Sequence, residues 1–173
     1  MDPKSSFHII GYLFGLAGFA TLYLAIRPAL IAKGRDAHLK ALLTVHFFRY
    51  FGLTALLPGV FDLARGGFTL DYLFQIMAGD VLAAVFALGT FWVVQAGAQW
   101  RIAAVWVFNV IGTLDYLNAG AQVTPAIHDA NILGPFGWIV MTVCLPAWLV
   151  SHVAIFTVLL RGKDASKVIA KAR

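Results

Sequence analysis

His46 and Arg49 stand three residues apart inside the apolar run from Ala41 to Val60, a stretch about long enough to cross a bilayer as a helix. An imidazole can carry a proton near neutral pH, and a guanidinium can grip carboxylates or phosphates through several N–H donors at once. Depth makes the pair notable. An arginine at the centre of a membrane helix costs at least ~2.5 kcal/mol on insertion scales, so Arg49 is expected to face protein, pair with a carboxylate and mark a functional site. Two carboxylates, Asp80 and Asp115, lie within later apolar runs.

Threading the apolar runs alternately through a bilayer sorts these residues into layers. At the rise of an α-helix, His46 falls roughly 8 Å from the inner boundary and His152 roughly 12 Å, with Asn109 at a similar depth. Asp80 and Asp115 fall roughly 10 to 12 Å from the outer boundary, with Arg49 between the two layers. His46 and Arg49 share a face through their i,i+3 spacing, and Asn109, Gly112 and Tyr116 line a face beside Asp115. The expectation is a polar seam inside the bundle, with His46, Arg49, Asp80 and Asp115 as its acid–base set and Asn109, Tyr116 and His152 as its ligand-binding set. Burial and a neighbouring guanidinium act oppositely on a carboxyl group. The two aspartates are thus placed to hold different protonation states, which suits acid–base work.

Three functions fit such a seam. One is a membrane-embedded enzyme acting on a lipophilic or amphiphilic small molecule, with an aspartate or histidine moving a proton and Arg49 holding negative charge. Another is a proton-coupled transporter or permeation protein, in which the same residues bind a solute or relay protons. A third is a b-type haem protein with His46 and His152 as axial ligands. Against all three stands a structural role, in which the ion pair locks helices together and the imidazoles satisfy their neighbours. No lysine lies inside an apolar run, which disfavours a retinal Schiff base. Phosphate-loop, dinucleotide and serine-hydrolase signatures are absent. His128-Asp129 is a weak metal signal, and no metal site is assigned.

The elements that must position these residues follow from composition. With 61% hydrophobic and 12% charged residues over 173 positions and a mean hydropathy of +0.83, the chain has too little polar surface to cover a soluble globule. An all-α integral-membrane bundle is expected, in a bacterial-type inner or plasma membrane, because lipid forces each span to satisfy its backbone internally. Five spans are read near residues 7–31, 41–60, 73–95, 102–123 and 133–160, within a single domain covering 1–173. Gly66-Gly67, Ala96 to Gln99 and Asn118 to Asn131 supply the turns. Pro146 is expected to kink the last helix. A count of four follows if 102–123, with its Asn109, Asp115 and Asn118, lies in the interface.

Charge sets the orientation. Placing the first connection inside gathers Lys33, Arg35, Lys40, Arg101, Arg161, Lys163, Lys167, Lys171 and Arg173 on the cytoplasmic side and leaves only Lys4 and Arg65 outside. The amino terminus is therefore expected outside and the carboxyl terminus inside, with the basic tail 161–173 resting near anionic lipid and Arg27 snorkelling to the inner boundary. This topology accounts for the net charge of +5 without a nucleic-acid partner. The first apolar run is too long for a typical export signal and is read as a retained helix. A lone cysteine, Cys144, excludes an intramolecular disulfide. Small residues at Gly11 and Gly15, and at Gly79, Ala83 and Ala87, permit close helix approach, within the bundle or in a homodimer.

Overall fold

The computed structural model describes residues 3–58, 69–127 and 135–171, and its regular structure is helical throughout. In chain order the elements are α1 (Pro3–Ala32), α2 (Arg35–Val45), a 3₁₀ helix (His46–Leu56), α3 (Leu70–Gln95), α4 (Arg101–Ile127), α5 (Pro135–Ile139), a π-helical turn (Val140–Cys144) and α6 (Leu145–Lys171). Four helical stretches are long and apolar enough to cross a membrane, at Phe7–Ala32, Leu70–Gln95, Arg101–Gln122 and Gly137–Arg161. They mark the chain as a membrane protein. The stretch 101–122 is among them, so its polar residues do not exclude it from spanning.

Local chemistry explains where helices start and stop. Thr69 caps α3 by accepting from the Tyr72 N–H at 3.2 Å. At the other end Ala98 N–H donates to Val93 O and Gly97 N–H to Val94 O, a Schellman closure that places Gly97 at φ 66°, where a side chain would strain the backbone. Gly34 plays a similar part between α1 and α2 at φ 89°. The segment expected as a turn from Asn118 is instead helix as far as Ile127. Gly66-Gly67 and His128-Asp129 lie outside the described residues. In the last span the irregularity expected at Pro146 takes the form of the π turn just before it. There the Leu145 N–H reaches back to Val140 O, a one-residue register shift of the kind that accommodates a missing proline donor.

The run expected as a plain α-helical span at 41–60 differs most from expectation. It begins as α2 and winds into eleven residues of 3₁₀ helix, although such runs rarely exceed three or four residues. With about three residues per turn, positions i, i+3 and i+6 eclipse. His46, Arg49 and Gly52 are accordingly all buried, while Phe48, Tyr50 and Leu53 beside them are exposed. The winding turns an approximate shared face into a straight inward column.

Side-chain pairs fix the helix directions. Lys40 Nζ donates to Gln95 Oε1 at 2.5 Å, and Gly52 packs against Asp80, so the α2–3₁₀ unit runs antiparallel to α3. Arg101 bonds Asp36 at 2.9 Å, and Arg35 donates to Leu159 O at 3.3 Å. The start of α2, the α3–α4 connection and the end of the last apolar span therefore share one end of the bundle. Gly11 faces Trp138 and Thr142, Gly15 faces Thr142 and Pro146, and Tyr23 and Arg27 share a cavity with Thr157 and Arg161. First and last helices are thus parallel.

The packing is inverted relative to a soluble protein. Large apolar side chains such as Phe14, Leu82, Leu114 and Val153 face outward, whereas His46, Arg49, Asp80, Asn109, Ser151 and His152 are buried. A leucine-rich cluster built on Leu39, Leu43, Val105, Phe108, Ile155 and Leu159 fills the basic end. Gly11 and Gly15 are spent on contacts inside the bundle. A Cβ on Gly15 would collide with the Thr142 carbonyl oxygen and meet Pro146 Cγ at 2.8 Å, while one on Gly18 would meet nothing within 4 Å. Gly15→Ala is therefore expected to lower the thermal unfolding midpoint by overpacking, at a cost of ~1–3 kcal/mol. Gly18→Ala should leave it unchanged or slightly raised; thermal scans of both purified variants check the contrast.

Candidate functional site

Each helix brings one stripe to the interior. The 3₁₀ column supplies His46, Arg49 and Gly52; α3 supplies Asp80, Ala83 and Ala87; α4 supplies Phe108, Asn109, Gly112 and Tyr116; α6 supplies Trp148, Ser151, His152 and Ile155. The stripes meet at Arg49, whose side chain is 1% exposed.

Arg49 Nε donates to Asp80 Oδ1 at 2.9 Å and Nη2 donates to the same oxygen at 2.7 Å. Nη2 also donates to Asp115 Oδ2, and Nη1 donates to the Gly112 carbonyl at 3.3 Å. Only one Nη1 hydrogen is left uncommitted. The guanidinium carbon lies 5.3 Å from the centre of the Trp148 ring, a cation–π distance. Asp80 is nearly sealed at 11% side-chain exposure, whereas Asp115 opens outward at 25%. One guanidinium between two carboxylates carries an excess negative charge when both are ionised. In an apolar interior that imbalance is costly, and a single proton cancels it.

Glycines make the approach possible. A Cβ on Gly52 would strike the Asp80 carboxylate, and one on Gly79 would strike that of Asp115. A Cβ on Gly112 would lie 2.8 Å from His152 Cε1, 3.2 Å from His152 Nε2 and 3.7 Å from Arg49 Nη1. Gly112 therefore marks the seam between the ion-pair layer and an imidazole layer beside it.

In that second layer the rings of His46 and His152 lie 4.2 Å apart at 44°, with Phe108 edge-on to His46 at 5.1 Å and stacked on His152 at 5.8 Å. Asn109 Nδ2 donates to the His152 carbonyl at 3.1 Å, which turns its Oδ1 toward His152 Nδ1, 2.8 Å away. An amide oxygen only accepts, so Nδ1 carries the hydrogen and the neutral ring presents a bare Nε2. Among the described residues that Nε2 has no hydrogen-bond partner, and neither has either ring nitrogen of His46. Three orphaned imidazole nitrogens thus adjoin the nearly saturated guanidinium. Beyond them Ser151 Oγ donates to Leu42 O at 2.9 Å.

Every residue singled out from the sequence has a place here. Arg49 contacts both aspartates, and His46, His152 and Asn109 form one cluster. Tyr116 is buried and bonds Tyr12 across to α1 at 2.7 Å, nearer the ion pair than the imidazoles along α4. Sequence reasoning missed Tyr12, the cradle glycine Gly52 and the capping ring of Trp148, and read Gly79 only as a site of close helix approach. That small-residue stripe and the helical repeat from Gly112 back to Asn109 were its hints of a glycine seam. The haem reading does not fit. Iron between two histidines would set their ligating nitrogens ~4 Å apart with the rings beyond, whereas here the ring centres themselves are 4.2 Å apart. Among the described residues no three His, Cys, Asp or Glu side chains converge as a metal site.

Residues 7–160 match the model of a domain of unknown function, DUF8737. The chain belongs to that family. The match takes in both layers of the site and all four apolar spans. No curated protein and no solved structure matches the chain.

The ion-pair geometry ranks its own variants. Arg49→Ala removes the cation from the buried Asp80 and the half-buried Asp115 and should destabilise by ~3–5 kcal/mol. Asp80→Asn, which weakens two charge-assisted contacts at the sealed position, should cost more than Asp115→Asn at the open one. Folded yield and thermal midpoint in one detergent test the order Arg49→Ala, then Asp80→Asn, then Asp115→Asn.

Proposed function

We propose that this chain binds the polar end of a lipophilic or amphiphilic small molecule at the junction of His46, His152 and Arg49, and exchanges a proton with it through the Asp80–Asp115 pair as a membrane-embedded acid–base centre. One observation carries the reading: three buried imidazole nitrogens without partners lie against a guanidinium that two carboxylates have already claimed. Each orphaned buried polar group costs ~1–3 kcal/mol, a cost that a bound polar group offsets. Arg49 positions the carboxylates, and the imidazoles meet the ligand. A second reading, passage of a proton or small solute, is favoured by the order of polar groups along the bundle, from Tyr12 and Asp115 through Arg49 and His152 to Ser151.

His46→Leu separates binding from architecture. It removes both orphaned ring nitrogens at nearly constant volume, so the variant should be more stable than the parent and should lose a small molecule that copurifies with it, as resolved by native mass spectrometry. Proton release on rebinding that molecule, followed with a pH dye, should vanish in Asp115→Asn. Equal small-molecule content in parent and His46→Leu would reject the binding reading.

The proposed setting is five crossings of an inner or plasma membrane, with the amino terminus outside. Parallel first and last helices support an odd number of traverses. The α2–3₁₀ unit, antiparallel to α3, supplies the additional one, with a combined rise of roughly 38 Å against a hydrocarbon core of ~30 Å. With Cys144 replaced, single cysteines at positions 6 and 166 should react with an impermeant reagent from opposite sides; labelling from one side would remove the five-crossing arrangement.

A further inference from the structure

At the basic end of the bundle, α1, the start of α2 and α6 enclose a cavity of about 400 Å³, a size typical of small-molecule sites. Arg27, Arg35 and Arg161 all line it. Three arginines lining one cavity place like charges near each other, which favours an anion between them. Among the described residues no carboxylate pairs with Arg27 or Arg35, and the nearest one along the chain, Asp36, is held by Arg101 at 2.9 Å. Arg35 spends one nitrogen on Leu159 O, while its buried Nε has no hydrogen-bond partner.

The backbone adds to this field. Gly34 opens α2 without a side-chain cap, so the first N–H groups and the positive end of the helix dipole are left to the cavity that Gly34 lines. A Cβ on Gly34 would meet nothing within 4 Å, leaving the approach open. Tyr23 and His38, joined at 3.3 Å, form a polar wall. Ile31 and Val158 form an apolar wall, and the cavity lies where the apolar spans of α1 and α6 end, at Ala32 and Arg161.

We propose that this cavity is a binding site for a phosphate-bearing anion, gripped by Arg27, Arg35, Arg161 and the amino-terminal N–H groups of α2, separate from the acid–base centre. A phospholipid headgroup and free phosphate share this chemistry. The apolar wall beside the guanidiniums suits the lipid, whose glycerol and first acyl carbons would lie along Ile31 and Val158.

The test uses the full chain in a zwitterionic detergent, with binding followed by native mass spectrometry and by thermal shift. The probes are short-chain phosphatidylglycerol, short-chain phosphatidylcholine and inorganic phosphate. Phosphatidylglycerol should bind and stabilise, and Arg27→Gln and Arg161→Gln should each weaken its binding about tenfold. Neither side chain makes a hydrogen bond that holds described parts of the fold together, so both variants should elute as the parent does; Lys163→Gln controls for net charge. Phosphatidylglycerol binding without competition by inorganic phosphate assigns a lipid site. Competition at equal affinity assigns the site to free phosphate. Equal binding of phosphatidylcholine and phosphatidylglycerol, or variants that bind phosphatidylglycerol as the parent does, would overturn the proposal.

Discussion

A guanidinium in an apolar interior must be solvated by the protein itself, and the bundle is arranged around meeting that need for Arg49. Its donors reach two helices: Asp80 comes from α3, and Asp115 and the Gly112 carbonyl come from α4. The ring of Trp148 comes from α6. Three separate helices are thus tied to one side chain of the 3₁₀ column. Along the described apolar spans the outward surface is mostly apolar, and such surface can pack against lipid but cannot specify how helices rotate. Polar satisfaction supplies that specification. Gly52, Gly79 and Gly112 lie where the carboxylates and the imidazole come closest, so the small residues serve the polar core as much as close backbone packing.

How much of this was legible in the sequence depends on what each feature rests on. Depth is nearly a linear function of residue number in a helical span, so the co-layering of His46, His152 and Asn109 was readable, as was the placing of Arg49 between them and the two aspartates. Helix winding is not linear in that way. Nothing in His46 to Leu56 announces a 3₁₀ helix, because the choice is made by the neighbours that need His46, Arg49 and Gly52 in one column. The run past Asn118 reads as a turn by residue type but continues as helix, since in an apolar setting the backbone ladder outweighs the turn preference of asparagine and glycine. The cavity at the basic end was illegible for a third reason. Arg27, Arg35 and Arg161 come together only through the parallel packing of the first and last helices, which local patterns do not encode.

The two layers of the site are unequal in their demands. The ion-pair layer is internally satisfied: nearly every donor of Arg49 has an acceptor, and only its charge balance is open. The imidazole layer is fixed in place by Asn109 and Phe108 yet left with bare nitrogens. One layer holds geometry and the other keeps hydrogen-bonding capacity in reserve, the division on which the proposed binding site rests. It also explains why the same residues support a structural reading for Arg49 and a chemical one for His46.

The spacing of the charge cluster along the chain bears on how the protein is made. Asp80 follows Arg49 by 31 residues and Asp115 follows it by 66. Synthesis proceeds from the amino terminus, so the segment carrying the guanidinium is made before either counterion. For that interval no partner from α3 or α4 can offset the cost of placing Arg49 in lipid. In the five-crossing arrangement proposed above, stable burial of Arg49 then depends on α3 and α4, which makes it a step of assembly rather than of sequential threading.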